Sequence, residues 1–200
     1  PDTVCHGEAK KKNNQTKSID GLTQHDVKPT QNSPLLKLGI ENVPPIITSA
    51  LLLDVRKFAN QGKKYSAGEF ITRDDLEITL QKSGLSKRGI LPGDVIMIYT
   101  GWSDYYKDPD TTKIYYSTAP GISYDAAKYL ASKEVVAVGL DTCCVDARPD
   151  PNNPDSFKQP EGTPKNQSFP VHDYFLTKVG VHTLENLNLK KIANNGVYES

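Results

Sequence analysis

The chain has 200 residues, enough for one sizeable core and on the long side for a single α/β domain. Its 24 basic and 24 acidic side chains cancel, so no broad field exists to draw in nucleic acid or an anionic membrane surface. No apolar run approaches the roughly 18 residues that a bilayer demands, so no membrane-spanning helix is expected. Three cysteines do not close a disulfide framework, and Cys143 and Cys144 are neighbours whose mutual bridge would be strained. That usage, with no charged-then-apolar leader at the start, favours a reducing, cytoplasmic setting. The sequons Asn14-Gln15-Thr16 and Asn166-Gln167-Ser168 point the other way, to a secreted protein.

Residues 1–34 are polar, carry the run Lys10-Lys11-Lys12, and show neither helical nor strand period, so an irregular arm is expected there. From Pro34 the texture changes, and the apolar run over 50–55 reads as a strand buried on both faces. A polar connection from Lys57 to Gly68 follows. Thr72-Arg73-Asp74-Asp75 fits a capping box, opening a helix of about ten residues that ends near Gly84. Leu91-Pro92-Gly93-Asp94 is a turn, and Val95–Tyr99 a second buried strand closing on Thr100-Gly101-Trp102. A long aromatic loop carries Tyr105, Tyr106, Tyr115 and Tyr116, and loops of that length in compact domains are often functional. Ser123 caps a helix bearing Ala126, Ala127 and Leu130, and residues 134–140 form a third buried strand closing on Asp141. Strand, crossover, helix and strand in that order predict a parallel pair.

Residues 148–168, rich in Pro, Asn and Asp, form a loop that delivers the chain to Ser168. Ser168 then suits a helix cap, Pro170 a first turn and Gly180 the stop before a strand. This arrangement puts His172 and Glu185 on two elements that fold back together. An imidazole and a carboxylate so placed can share a divalent metal, or be no more than a capping histidine and a surface glutamate.

Ligands in open α/β sheets collect at the carboxyl ends of strands, where Asp54, the Thr100–Trp102 turn and Asp141 lie. Each acidic residue there also suits a cap on the following element. Nothing marks a base for Cys143 or Cys144, so inert buried thiols are the simpler reading than a cysteine hydrolase. In the arm, Asp20 and His25 stand five residues apart in a glycine-containing turn. His25 there suits a general base, or is simply a histidine in a turn.

Several blocks together resemble the cyclase family, which includes kynurenine formamidases and isatin hydrolases. They are Leu38–Ile46, Pro92–Val95 with Thr100-Gly101-Trp102, Pro120-Gly121-Ile122, and Phe169–His172 through Gly180 to Leu187. The resemblance implies a single α/β domain over residues 1–200, of the swivelling β/β/α type, with a mixed sheet and flanking helices. The family's N- and C-terminal extensions look absent. It further implies a metal-dependent hydrolase of amides or cyclic amides using Zn or Mn, acting on a small-molecule substrate as a homo-dimer or homo-tetramer.

Carried onto this chain, the metal ligands fall on Asp20, His172 and Glu185, the proton-transfer histidine falls on His25, and Trp102 lines the substrate pocket. Ser18 and Asn14 stand where two ligand histidines are expected, and neutral oxygen donors hold zinc weakly. The same departure leaves open a non-catalytic scaffold that binds or assembles.

Overall fold

The structure, a computed structural model, describes residues 22–37, 39–106, 113–153 and 157–200. The apolar runs of the sequence become the strands of one sheet. They are β1 (Ala50–Leu53), β3 (Val95–Ile98), β5 (Ala137–Leu140) and β6 (His182–Leu184), in the order β1-β3-β5-β6. Every pairing in it is parallel, with Leu51 opposite Ile96, Ile96 opposite Val138, and Val138 opposite Thr183. A small second sheet pairs β2 (Phe70–Ile71) with β4 (Gly121–Ile122), also in parallel. Among the described residues, antiparallel pairing is confined to two isolated bridges, Leu51 with Glu199 and Ala119 with Arg148. The expected α/β domain is therefore present, with helices packed on parallel strands around one main core.

Local chemistry sets the helices. Thr72 and Asp75 form the expected reciprocal capping box on the Arg73–Lys82 helix. Ser123 Oγ accepts the Ala126 N–H at 3.1 Å to start the Tyr124–Ser132 helix, which buries Ala126, Ala127 and Leu130. Strand β1 is followed at once by the short Val55–Phe58 helix, whose N-cap is Asp54. The arm contributes the Gln24–Val27 helix among its described residues. The aromatic stretch is more regular than expected, with a 3-10 turn at Trp102–Tyr105 and a helix at Ile114–Ser117.

The helix that begins at Pro170 differs from expectation at its start. Its N-cap is Phe169, which offers no side-chain cap, and Ser168 plays no such part. Pro170–His172 form one α-turn, and Asp173–Val179 continue as a π-helix that ends on Gly180 at φ 71°. That wider turn seats Phe175 fully in the core, and Gly180 supplies the left-handed step that begins the approach to β6.

One carboxylate braces the loop that enters β3. Asp94, at the entry of β3, takes the Arg88 guanidinium on both oxygens and the Leu91 N–H at 2.8 Å. Burial pushes the Asp94 carboxyl up, but Arg88 and the Leu91 N–H outweigh it and hold it below its ordinary value. A depressed carboxylate stabilises the fold above its unfolded pKa, and that contribution is lost as pH falls through the folded value. Arg88→Gln should therefore cost about 2 kcal/mol near neutral pH, with the loss shrinking below about pH 4. Urea midpoints across that range test it, and a pH-independent difference would refute the pairing's role. Beyond β1, the Ala50 N–H donates to Ser200 O at 2.8 Å, the Ser200 N–H to Ala50 O at 3.1 Å, and the Leu52 N–H to Tyr198 O at 2.9 Å.

Candidate metal centre

The segment that leaves β5 is held from three sides. Asp141, fully buried, accepts five hydrogen bonds: from the N–H and Oγ1 of Thr100, from the N–H of Gly101, and from the N–H and Oγ of Ser103. It is thus a clamp between the ends of β5 and β3. On the next side, Thr142 O accepts the Asn186 N–H at 2.8 Å, and Thr142 Oγ1 donates to Cys144 O at 2.7 Å. On the third, the Ile122 N–H donates to Val145 O at 2.9 Å, and Ala119 and Arg148 exchange two backbone bonds.

This braced segment carries Asp146 against the first turn of the Pro170–His172 helix. Its Oδ1 accepts the Val171 N–H at 2.9 Å and its Oδ2 the His172 N–H at 3.0 Å. Asp146 is therefore the cap that Ser168 was expected to be, delivered from 25 residues away to the otherwise orphaned donors of Val171. The same Oδ2 lies 2.6 Å from His172 Nδ1. One carboxylate thus fixes both the backbone that presents His172 and the orientation of its ring.

The other ring nitrogen faces Glu185. Residue 185 follows β6 directly, and its Oε1 sits 2.8 Å from His172 Nε2 while accepting the Val145 N–H at 3.2 Å. Glu185 remains about a fifth exposed, whereas Asp146 is nearly closed off. Burial alone would lower the His172 pKa, but the two flanking carboxylates outweigh it and raise it to about 10. The imidazole thus lies between two carboxylates, a position that also suits a divalent cation on Nε2.

Cys144 completes the cluster. It is buried, its Sγ is 4.0 Å from His172 Nδ1, and the donor atoms of Cys144, His172 and Glu185 all lie within 4.8 Å of one another. Among the described residues no other such group of three His, Cys, Asp or Glu donors occurs.

The expected site residues fall into three groups. His172 and Glu185 are brought together. Asp20, with Ser18 and Asn14, lies outside the described residues. His25 is described, sits exposed on the Gln24–Val27 helix, and is not part of the donor cluster. Trp102 is buried against Tyr115 and Ala119, with the Tyr105 ring tilted against it at 4.8 Å between centroids, so it packs in a satellite core. Sequence reasoning misses Asp146 and sets Cys144 aside as an inert buried thiol. The one signal for them was their place just after a buried strand that ends in Asp141, where ligands of α/β sheets gather.

A parallel-stranded α/β domain with a histidine and carboxylates at the carboxyl ends of neighbouring strands defines the class. The sequence model of the Cyclase family matches residues 3–147, and the chain belongs to that family. Among solved structures, one described as a novel cyclase is 25% identical, with a TM-score of 0.71 over 92% of this chain and 56% of its own. Isatin hydrolase A from Ralstonia solanacearum is 19% identical, with a TM-score of 0.52 over 77% of this chain and 51% of its own. The chain thus spans about half the length of these structures. No curated protein matches it.

Proposed function

We propose that this chain is a metal-dependent hydrolase of an amide or cyclic amide, with His172 Nε2 and Glu185 as ligands of a divalent ion. One observation carries the reading: a buried histidine has Nδ1 fixed by Asp146 and Nε2 set 2.8 Å from a second carboxylate. The residues fit such an ion. Metal-bound histidines regularly give their second nitrogen to a carboxylate, which sets the tautomer and strengthens the donor. Two donors that each reach about 2.0–2.2 Å to one tetrahedral ion stand roughly 3.3–3.6 Å apart, so the 2.8 Å pair opens slightly to admit one. When bound, the ion would lower the pKa of a coordinated water and polarise the amide carbonyl.

Membership of the Cyclase family supports the hydrolase class, and the amide substrate is carried over from the family resemblance. Asp20 is proposed as a further ligand and His25 as the group that moves protons. Trp102, from its buried place, would shape the pocket wall from beneath. A non-catalytic scaffold is the second reading, favoured by the exposure of His25 outside the donor cluster.

Metal analysis of the purified chain, with hydrolysis of N-formylkynurenine and isatin before and after chelation, separates the two. The hydrolase reading expects about one equivalent of metal and chelator-sensitive turnover. Asp146→Ala, which frees the ring, should lower metal affinity roughly 10–100-fold. A folded chain that takes up no metal and hydrolyses neither compound would leave the scaffold reading standing.

A further inference from the structure

We propose that Cys144 is a sulfur ligand of this centre, so that the site selects zinc over manganese. The inference rests on the reading of His172 and Glu185 as ligands and adds a third donor of different chemistry.

The geometry already groups the three side chains. Cys144 has about 1% of its surface exposed, and its Sγ shares a 4.8 Å neighbourhood with donors of His172 and Glu185. A tetrahedral zinc ion has Zn–S near 2.3 Å and Zn–N or Zn–O near 2.0–2.2 Å, which separates neighbouring donors by roughly 3.3–3.6 Å. To close on an ion, the 2.8 Å His172–Glu185 pair opens by roughly 0.5 Å and the thiol, within 4.8 Å of both side chains, draws in. The peptide unit that follows the thiol is pinned at both ends, by Thr142 Oγ1 on Cys144 O and by the Val145 N–H on the Glu185 carboxylate. The ligand Glu185 and the thiol are thus tied through one peptide unit.

Acting as a nucleophile paired with His172 is the competing role for this thiol. Asp146 stands against it, because its Oδ2 occupies the same Nδ1 at 2.6 Å while Sγ is 4.0 Å away. Cys143 is the poorer ligand candidate. It lies outside the donor group, its Sγ is directed to Tyr116 O, and burial pushes its thiol up.

Hardness then decides the metal. Carboxylates accept manganese or magnesium readily and imidazole suits zinc and other transition metals, whereas a thiolate favours zinc and other softer ions. On binding, the Cys144 S–H bond breaks, the sulfur keeps the electron pair and donates it to the metal, and the proton leaves to solvent. No electron changes hands.

The test uses the full chain, freed of metal and titrated separately with cobalt(II), zinc(II) and manganese(II). The cobalt protein should show a near-ultraviolet thiolate-to-metal charge-transfer band. Cys5→Ser and Cys143→Ser should keep it, and Cys144→Ser should lose it. Cys144→Ser should also weaken zinc roughly 10–100-fold while changing manganese affinity less than about threefold. If Cys144→Ser fails to fold, Cys144→Ala and the band of the unsubstituted chain answer the same question. Cobalt bound without the band, or a band that survives loss of Cys144, overturns the sulfur ligand and leaves His172 and Glu185 in place. An unsubstituted chain that binds none of the three ions overturns the metal reading itself, and this inference with it.

Discussion

Asp141→Ala is expected to destabilise the chain by roughly 3–5 kcal/mol, read as a fall in the urea midpoint. Domains hold about 5–15 kcal/mol in all, so the variant stands close to unfolding. The size follows from what the carboxylate leaves behind. Three backbone N–H groups and two hydroxyls, on Thr100, Gly101 and Ser103, lose their acceptor in a region closed to water. Asp141→Asn should recover only part of the loss. Its carbonyl oxygen still serves Thr100, but its amide nitrogen would point donors at the Gly101 and Ser103 donors. A midpoint close to that of the unsubstituted chain for the alanine variant would show that Asp141 is not the clamp described.

Gly121→Ala should do two kinds of damage at once. A Cβ at Gly121 runs into the backbone of Val145, Asp146 and Ala147 rather than into a side chain that can swing away. The strand and the segment must part, at a cost of about 3 kcal/mol or more. Because the displaced backbone carries Asp146, the His172 ring loses its fixed tautomer and orientation as well. Metal affinity should therefore fall roughly 10-fold or more even at temperatures where the variant stays folded. Thermal unfolding with calorimetric metal titration separates the two effects. Normal metal affinity in a folded Gly121→Ala chain would show that the placement of Asp146 does not matter to the site.

The contrast between these residues shows what the sequence makes legible. Signals that act within a few residues were plain: the Thr72–Asp75 box, the Ser123 cap, and the apolar runs that became β1, β3 and β5. The His172–Glu185 pair was also readable, because a glycine stop and one short strand suffice to fold Glu185 back onto the helix. Asp146 was not, since its role depends on a cap made across 25 positions by a segment braced through β4. Asp141 posed the reverse problem. Its position at a strand end suits a ligand or a cap equally, and only the convergence of five donors decides for the structural role. Trp102 illustrates a third limit. An aromatic after a strand marks a pocket or a core according to how Tyr105 and Tyr115 fold over it, which no local pattern encodes.

The backbone bonds that residues 198–200 make along β1 have a consequence for association. A parallel sheet ordered β1-β3-β5-β6 would otherwise leave the outer side of β1 as a row of free donors and acceptors. Tyr198 and Ser200 occupy that row, while Glu199 between them pairs with Arg88. Residues 198–200 thus cover this side of β1, and a second molecule cannot pair with β1 there directly.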